Sequence, residues 1–373
     1  MLYLDSAASS LPETEAAAAL ERLSRELPAN PSSLHEAGRK AAQTIEKARS
    51  ILASGIKAKT EEIIFVASGT EANNTVLFGC RSKFKKKNTI IAFLSEHLSV
   101  MEPLKILKTR GINVKLLRPP GERGIIFDDL LPYLDESVYF VSVMQVNNES
   151  GIVTDVAALA RELKKKYPDV MFHTDAVQGY MKIPFNLVPE IDFYTVSAHK
   201  IFAPSGAGFI AARKKFEPLL YGGGQEQGRR SGTENTAAIG AMACAAGMLE
   251  PEISGNFNKM LLLNKKFPEA LTKAGINYHR LFPENAVSPY ILSISLPEVK
   301  SEVIIRMLSD LGIYLSASSA CSEAGNRERV LTAYNILPAM RSGALRISLY
   351  PGLPADAPDI FASALKNCLK TYR

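Results

Sequence analysis

Short apolar segments alternate with longer amphipathic segments through the first two thirds of the chain. The apolar segments predict strands at residues 63–67, 89–94, 114–117, 138–145, 170–173, 193–196 and 208–212. The amphipathic segments between them predict helices at residues 71–80, 98–109 and 156–167. Apolar strands separated by helices are typical of a mostly parallel sheet that is covered on both faces. The pattern therefore predicts an α/β fold.

The pattern changes in the last third of the chain. A long helical stretch is followed by a strand, a helix and a second strand, at residues 237–271, 290–296, 301–311 and 344–349. This order is typical of a smaller α+β unit. We therefore predict a large domain of residues 12–250 and a small domain formed by residues 1–11 and 251–373, with the boundary near Pro251.

Composition narrows the class of protein. The 373 residues carry 44 Lys and Arg against 38 Asp and Glu, a net charge of +6, and this mild excess does not indicate nucleic-acid binding. The N-terminus lacks the basic and apolar regions of a signal peptide, and no apolar run approaches about 20 residues, so we expect a cytoplasmic protein. The four cysteines include no C-x-x-C pair, which argues against a disulfide scaffold and a metal site.

Small and polar residues follow several of the predicted strands. Ligands of open α/β sheets bind beyond the carboxyl ends of the strands, so these residues are candidates for a functional site. Gly69 and Thr70 lie between a strand and a helix, where free backbone N–H groups and a hydroxyl can bind a phosphate. An ordinary helix N-cap explains the same residues about equally well.

Asp175 and Lys200 each stand at the end of a strand. A carboxylate such as Asp175 can hold a heteroaromatic ring nitrogen in its protonated form, although an N-cap role is the alternative. Lys200 follows Ser197 and His199 and precedes a loop of small residues, a position that packing explains poorly. A buried lysine there can form a Schiff base, because burial lowers its pKa. A surface lysine is the alternative.

Four further residues have a chemical interpretation. His97 could stack on a flat cofactor, or be structural. Asn148 follows an apolar strand and could bind a ligand, although a turn explains it nearly as well. Arg346 is a charge within an apolar strand and could bind a carboxylate or form an internal salt bridge. Cys321 lies in a loop of small polar residues, where a reactive cysteine is expected rather than a core one.

Together these segments resemble the cysteine desulfurases of the NifS-like and IscS-like group, which are class V aminotransferases of the fold-type I pyridoxal-phosphate enzymes. The resemblance extends nearly from end to end. It includes residues 3–5, the segment Asn-Pro-Ser-Ser-Leu-His-Glu-Ala-Gly at 30–38, and the highly specific run Gly-Gly-Gly-Gln-Glu-Gln-Gly-Arg-Arg-Ser-Gly-Thr-Glu-Asn at 222–235. Each motif alone is weak, but their common order is a strong signal.

The resemblance implies a role for each candidate residue. Lys200 would form the Schiff base and move protons on the substrate carbon, Asp175 would pair with the ring nitrogen, and His97 would stack on the ring. The other implied contacts are Gln178 and Asn148 near the ring oxygen; Gly69, Thr70, Ser197 and His199 around the phosphate; Thr233 at the phosphate of the other subunit of a homodimer; and Asn148 with Arg346 at the substrate carboxylate.

The implied activity is removal of sulfur from L-cysteine, which gives L-alanine and a persulfide on Cys321. A sulfur-acceptor protein would then receive the sulfur, for example in iron–sulfur cluster assembly. Three alternatives stay open. The same scaffold could act as a selenocysteine lyase or as an aminotransferase or kynureninase-like enzyme, and the chain could be a paralogue without catalytic activity.

Overall fold

The computed structural model describes residues 1–80, 87–317 and 329–372. Its strands are β1 (Leu2–Tyr3), β2 (Ile63–Val66), β3 (Thr89–Phe93), β4 (Asn113–Leu117), β5 (Val138–Ser142), β6 (Met171–Asp175), β7 (Phe193–Ser197), β8 (Gly208–Ala212), β9 (His279–Arg280), β10 (Ile291–Ser295), β11 (Ile313–Tyr314), β12 (Ser316–Ala317) and β13 (Ala344–Ser348). Its helices are α1 (Thr14–Glu26), α2 (Glu36–Ser54), α3 (Gly69–Gly79), α4 (Leu98–Thr109), α5 (Phe127–Leu130), α6 (Val156–Lys166), α7 (Thr236–Leu249), α8 (Ile253–Lys273), α9 (Ser301–Asp310), α10 (Arg329–Ala333), α11 (Pro338–Arg341) and α12 (Ala357–Tyr372).

A sheet of seven strands forms the centre of the larger part, in the order β2-β8-β7-β6-β5-β3-β4. Strands β3 to β7 pair in parallel, and β8 runs antiparallel to both of its neighbours. The predicted α/β fold with a mostly parallel sheet is confirmed. The parallel β-strands that are buried along their whole length contain mostly apolar residues, because both faces of the sheet are covered.

Alternation along the strands builds two cores on opposite faces of this sheet. In β2, Ile63 and Phe65 enter one core while Ile64 and Val66 enter the other, because successive side chains of a strand point to opposite faces. Helices α2, α6 and α7 contribute to the first core, and α3 and α4 to the second. The sheet therefore gives rigid support to the loops that follow its strands.

A separate core lies around the antiparallel sheet β12-β13-β10-β9 and helices α8, α9 and α12. Leu2 and Leu4 belong to this core, and β1 pairs in parallel with β11. Helices α7 and α8 are separated by a 3-10 turn that contains Pro251. The predicted division, with residues 12–250 in a large domain and residues 1–11 and 251–373 in a small one, stays a prediction.

Several predicted elements differ from the structure at their ends, and two of them show why. The helix predicted from residue 71 begins at Gly69, because the Ser68 hydroxyl accepts a hydrogen bond from Glu71 N at 3.1 Å and caps it. The strand predicted for 138–145 ends at Ser142, although the backbone N–H groups of Val143 and Gln145 still donate to carbonyls of β6. Within the described ranges, no helix is both long and apolar enough to cross a membrane.

Candidate active site

A cavity of about 280 Å³ lies at the carboxyl edge of the central sheet. The loops after β2, β3, β5, β6 and β7 meet there, as expected for an open α/β sheet. Ten of the residues singled out from the sequence line this cavity: Gly69, Thr70, His97, Asn148, Asp175, Gln178, Ser197, His199, Lys200 and Arg346. The fold therefore brings together residues that are as far as 277 positions apart in the chain, from Gly69 to Arg346.

Asp175 is the last residue of β6 and is 4% exposed. Its Oδ2 accepts a hydrogen bond from Asn73 Nδ2 at 2.8 Å, and its Oδ1 accepts one from the backbone N–H of Val177 at 3.0 Å. These two hydrogen bonds fix the plane of the carboxylate. Asp175 can therefore present a negative charge to a cationic ring nitrogen. Its partner Asn73 was not found from the sequence, because a polar residue within a helix carries no distinctive signal.

Lys200 ends the short 3-10 turn that directly follows β7. Its Nζ donates to the carbonyl of Ala7 at 2.8 Å and also to the carbonyl of Ala8. The Nε2 of Gln178 donates to the same Ala7 carbonyl at 2.8 Å. The N-terminal segment thus supplies main-chain acceptors that orient the side chains of Lys200 and Gln178 in the cavity.

Lys182 lies behind Gln178 and is 2% exposed. Its Nζ donates to Gln178 Oε1 at 3.0 Å. Burial lowers the pKa of Lys182 to about 7, and the positive charges of Lys200 and Arg346 lower it as well. The sequence analysis missed this residue. A lysine between apolar residues, four positions after Gln178, is the signal that could have indicated it.

Gly69 and Thr70 form the first turn of α3, whose N-terminus opens into the cavity. A Cβ at position 69 would lie 2.9 Å from Val177 Cγ2 and 3.3 Å from Ser197 Cβ. Glycine therefore keeps open the approach to the backbone N–H groups at this end of the helix. Such an N-terminus favours an anion, and a phosphate is the anion that a helix of this kind commonly holds.

Two histidines face the cavity. His97 is the N-cap of α4, and its Nδ1 accepts a hydrogen bond from Ser99 N at 3.1 Å. Removal from bulk water by the surrounding protein lowers the pKa of His97, although the ring stays accessible from the cavity. Burial lowers the pKa of His199 to about 4, with further lowering by Lys200 and Lys182. Both imidazoles are thus favoured in the neutral form near pH 7.

Arg346 lies in β13 and is 3% exposed. One terminal nitrogen donates to Asp5 Oδ1 at 2.9 Å and the other to the carbonyl of Asn148 at 3.0 Å. The internal salt bridge considered from the sequence is therefore present. Arg346 also lines the cavity, and its Nε has no hydrogen-bond partner among the described residues. An arginine in this setting has capacity left for a ligand carboxylate.

Glu149 and Arg329 also line the cavity, and the sequence analysis missed both. Burial raises the pKa of Glu149 to about 7, while Arg346 and Arg329 act in the opposite direction. The neighbouring Asn147 forms the turn, since its Oδ1 accepts from the backbone N–H groups of Glu149 and Ser150. The turn interpretation therefore holds for Asn147, whereas Asn148 reaches the cavity.

One predicted residue of the described part of the chain does not line this cavity. Thr233 is exposed in the segment before α7 and lines a different depression beside Arg230 and Glu234. Cys321 lies outside the described residues. The cysteines at positions 80 and 368 are buried, and burial raises the pKa of both thiols.

Comparison with known proteins places this chain and its fold in a family. The model of the aminotransferase class-V family matches residues 2–356. A cysteine desulfurase IscS from Dictyoglomus turgidum is 34% identical, over 93% of this chain and 89% of its own. The solved structure of a NifS-like protein has a TM-score of 0.93 at 32% identity and covers 99% of both chains. SspA in complex with cysteine has a TM-score of 0.81 at 25% identity, covering 94% of this chain and 99% of its own.

These matches cover nearly the whole chain. The family model spans both predicted domains, and the structural similarity extends over nearly the whole chain. The resemblance inferred from the sequence motifs is confirmed. The chain belongs to the aminotransferase class-V family, and its relatives include cysteine desulfurases of the NifS-like and IscS-like group.

Proposed function

We propose that this protein is a pyridoxal-phosphate-dependent cysteine desulfurase, which converts L-cysteine to L-alanine and holds the sulfur as a persulfide on Cys321. One observation carries the proposal: a single cavity contains the amine of Lys200, the carboxylate of Asp175 and the guanidinium of Arg346. An amine, a charge for a ring nitrogen and a site for an α-carboxylate are the three groups that amino-acid chemistry on this cofactor requires. The cysteine desulfurases among the relatives support the same choice.

The residues of the cavity fit pyridoxal phosphate. The phosphate would be held at the opening next to Gly69, by Thr70, Ser197 and His199, where an added Cβ would close the space. Asp175 would face the ring nitrogen and keep a proton on it, His97 would lie against the ring, and Gln178 and Asn148 would contact the ring oxygen. When bound, the cofactor supplies an electron sink for the bonds of the substrate α-carbon.

Lys200 is the residue that would move the substrate α-proton. Its Nζ already lies in the cavity, held by the carbonyls of Ala7 and Ala8. Arg346, with help from Asn148, would bind the substrate carboxylate and thereby orient the amino acid. Arg346 would have to share or exchange its present partner Asp5 when the substrate binds.

The chain connectivity supports a role for Cys321 at this cavity. On one side, Ala317 ends β12, which pairs with β13 next to Arg346. On the other side, Arg329 lines the cavity and donates to the carbonyl of Glu96 at 2.6 Å. Cys321 is four residues after Ala317 and eight before Arg329, so the segment that carries it is joined at both ends to residues near this cavity.

The proposed sulfur transfer is balanced without an outside oxidant or reductant. The carbon–sulfur bond of L-cysteine breaks, and a sulfur–sulfur bond forms on Cys321. The carbon keeps the bonding electron pair and takes a proton to become the methyl group of L-alanine. The thiolate of Cys321 is the nucleophile, and the persulfide is a reversible modification of this cysteine.

We also propose that the enzyme is a homodimer in which Thr233 reaches the phosphate site of the other subunit. The exposure of Thr233, away from its own chain's cavity, supports this arrangement. Coexpression of Lys200→Ala and Thr233→Val subunits tests it. Activity above that of either variant alone is expected, since one site of the mixed dimer then has both residues intact. If coexpression gives no more activity than the single variants, the two subunits do not share a site.

The experiment that tests the function measures sulfide and L-alanine released from L-cysteine in the presence of a thiol reductant. The wild type should release both in equal amounts, and Cys321→Ser should release almost no sulfide. Cys244→Ser is the matched control, because Cys244 is half-buried on α7 and should tolerate the change. Full sulfide release by Cys321→Ser would overturn the persulfide mechanism.

The same preparation separates the alternatives. A selenocysteine lyase would release selenide from L-selenocysteine while it leaves L-cysteine unchanged. An aminotransferase would convert an amino acid to its oxo acid independently of Cys321. A paralogue without catalytic activity would show no visible cofactor absorption even after pyridoxal phosphate is added. The sulfur acceptor would be a carrier or scaffold protein that contacts the segment around Cys321.

A further inference from the structure

A chain of hydrogen bonds joins the two residues that would flank the cofactor ring. It begins at Asp175, whose Oδ2 accepts from Asn73 Nδ2 at 2.8 Å. The same nitrogen lies 2.8 Å from Ser99 Oγ, and Ser99 Oγ lies 2.8 Å from His97 Nδ1. Asn73, Asp175 and Ser99 are all nearly inaccessible to solvent, so water does not substitute for these partners.

The direction of each hydrogen bond follows from the charge at one end. An ionised carboxylate only accepts, so the Asn73 amide must turn its NH₂ group toward Asp175. The Asn73 oxygen then faces Thr195, whose hydroxyl donates to it at 2.6 Å. The second hydrogen of the NH₂ group points to Ser99 Oγ, which therefore accepts. The single proton of Ser99 is left to donate to His97 Nδ1.

His97 Nδ1 also accepts from the backbone N–H of Ser99 at 3.1 Å. With two donors directed at it, this nitrogen has no room for a proton of its own. We propose that Asn73 and Ser99 are positioning residues that hold His97 in the neutral tautomer with its proton on Nε2. The tautomer of His97 follows from the hydrogen-bond network alone. Only the role of His97 in the reaction rests on the proposed function.

The consequence is that the Nε2–H of His97 is available as a hydrogen-bond donor to a ligand of the cavity. Protonation of Nδ1 would require two hydrogen bonds to break, so His97 is held neutral. The charged groups that face it act in both directions: Asp175 raises its pKa, and Lys200 and Arg329 lower it. His199 is the other titratable group that interacts with it. The net direction is a pKa below the usual value of a histidine.

The tautomer can be read directly from the ¹⁵N NMR spectrum of the holoenzyme labelled at histidine. The chain has five histidines, and His97→Gln assigns the signal of His97. The wild type should show an unprotonated Nδ1 and a protonated Nε2. Ser99→Ala should move the signal toward a mixture of tautomers and raise the pKa of His97 by about one pH unit, the equivalent of one hydrogen bond.

Two variants make this result specific. Ser99→Thr keeps the hydroxyl and should restore the wild-type spectrum. Ser295→Ala removes another buried serine hydroxyl, one that donates to the Met340 carbonyl in the small sheet, and should leave His97 unchanged. A wild-type signal with the proton on Nδ1, or a Ser99→Ala spectrum identical to that of the wild type, would overturn the inference. Failure of the proposed function would instead appear as absence of sulfide release with this spectrum intact.

Discussion

The Nζ of Lys182 donates a 3.0 Å hydrogen bond to Oε1 of Gln178, and this contact directs the NH₂ group of Gln178 toward the cavity side. A glutamine amide is symmetric in shape, so its orientation depends on such partners. Lys182 thus acts on the cavity without lining it.

The first prediction follows from this contact. Lys182→Met keeps a side chain of similar length but removes the donor, so the Gln178 amide loses one of the two partners that orient it. We expect the dissociation constant for pyridoxal phosphate to rise about tenfold, as loss of one oriented hydrogen bond implies. Titration of the apoenzyme by absorbance measures it. Lys108→Met, at an exposed position on α4, should have no effect. Equal affinities of both variants would contradict the role of Lys182.

The second prediction concerns acid stability. His173 is fully buried between Ser142 and Thr195, and burial lowers its pKa to about 3. The unfolded chain therefore binds a proton that the folded chain does not, once the pH falls below about 6.5. The stability that the neutral His173 side chain contributes is fully present above pH 6.5 and is lost as the pH falls toward 3. Between pH 6.5 and 5 the loss from this group should be about 2 kcal/mol.

Denaturant unfolding of His173→Gln over this pH range checks that contribution. The variant should be less stable at pH 7 but should lose less free energy of unfolding on acidification. His279→Gln, at an exposed position, is the control and should follow the wild type. If the unfolding free energy of His173→Gln changes with pH as steeply as that of the wild type, other groups cause the acid sensitivity.

The third prediction concerns the opening beside Gly69. Gly69→Ala should lower the affinity for pyridoxal phosphate at least tenfold, because the new Cβ would contact Val177 and Ser197 and narrow the phosphate site. Gly247→Ala in α7 is the matched control, since its Cβ would meet only Ile51 at 3.7 Å. That control should stabilise the fold by about 0.5–1 kcal/mol through helix propensity and leave the affinity unchanged. Cofactor titration and thermal unfolding distinguish the two effects.

The fourth prediction concerns a buried ion pair near the loop before α7. Both terminal nitrogens of Arg49 donate to Glu226 at 2.8 Å, and Glu226 also accepts from Phe65 N at 2.7 Å. Arg49→Met should cost about 3–5 kcal/mol of unfolding free energy, because it leaves a buried carboxylate without its partner. The double variant with Glu226→Gln should recover part of this loss. If the double variant instead loses as much unfolding free energy as the two single variants together, Arg49 and Glu226 are not coupled.

The strands of the central sheet were predictable because burial on both faces requires unbroken apolar segments, as at Ile63 and Phe93. The antiparallel direction of β8 was not, since its sequence is equally compatible with either direction of pairing. The helix from Leu98 to Thr109 was predicted to the residue, because an apolar repeat marks one of its faces.

The side chains that would touch a ligand were largely predictable, because they follow strands whose ends meet at one edge. The residues that orient them were not. Asn73, Ser99 and Lys182 acquire their meaning from contacts across the fold, and no local spacing indicates those contacts. The carbonyls of Ala7 and Ala8 are still harder to foresee, because a main-chain acceptor has the same chemistry at every position.

The position of β1 has a consequence for synthesis. Leu2 pairs with Ile313, and Asp5 bonds to Arg346, so the carbonyls that hold Lys200 are set in place by residues more than 300 positions later. While the chain is being translated, the central sheet can form long before this segment has a surface to bind. The cavity is therefore completed only after β13 has left the ribosome, so a truncated nascent chain would fold its sheet around an unfinished site.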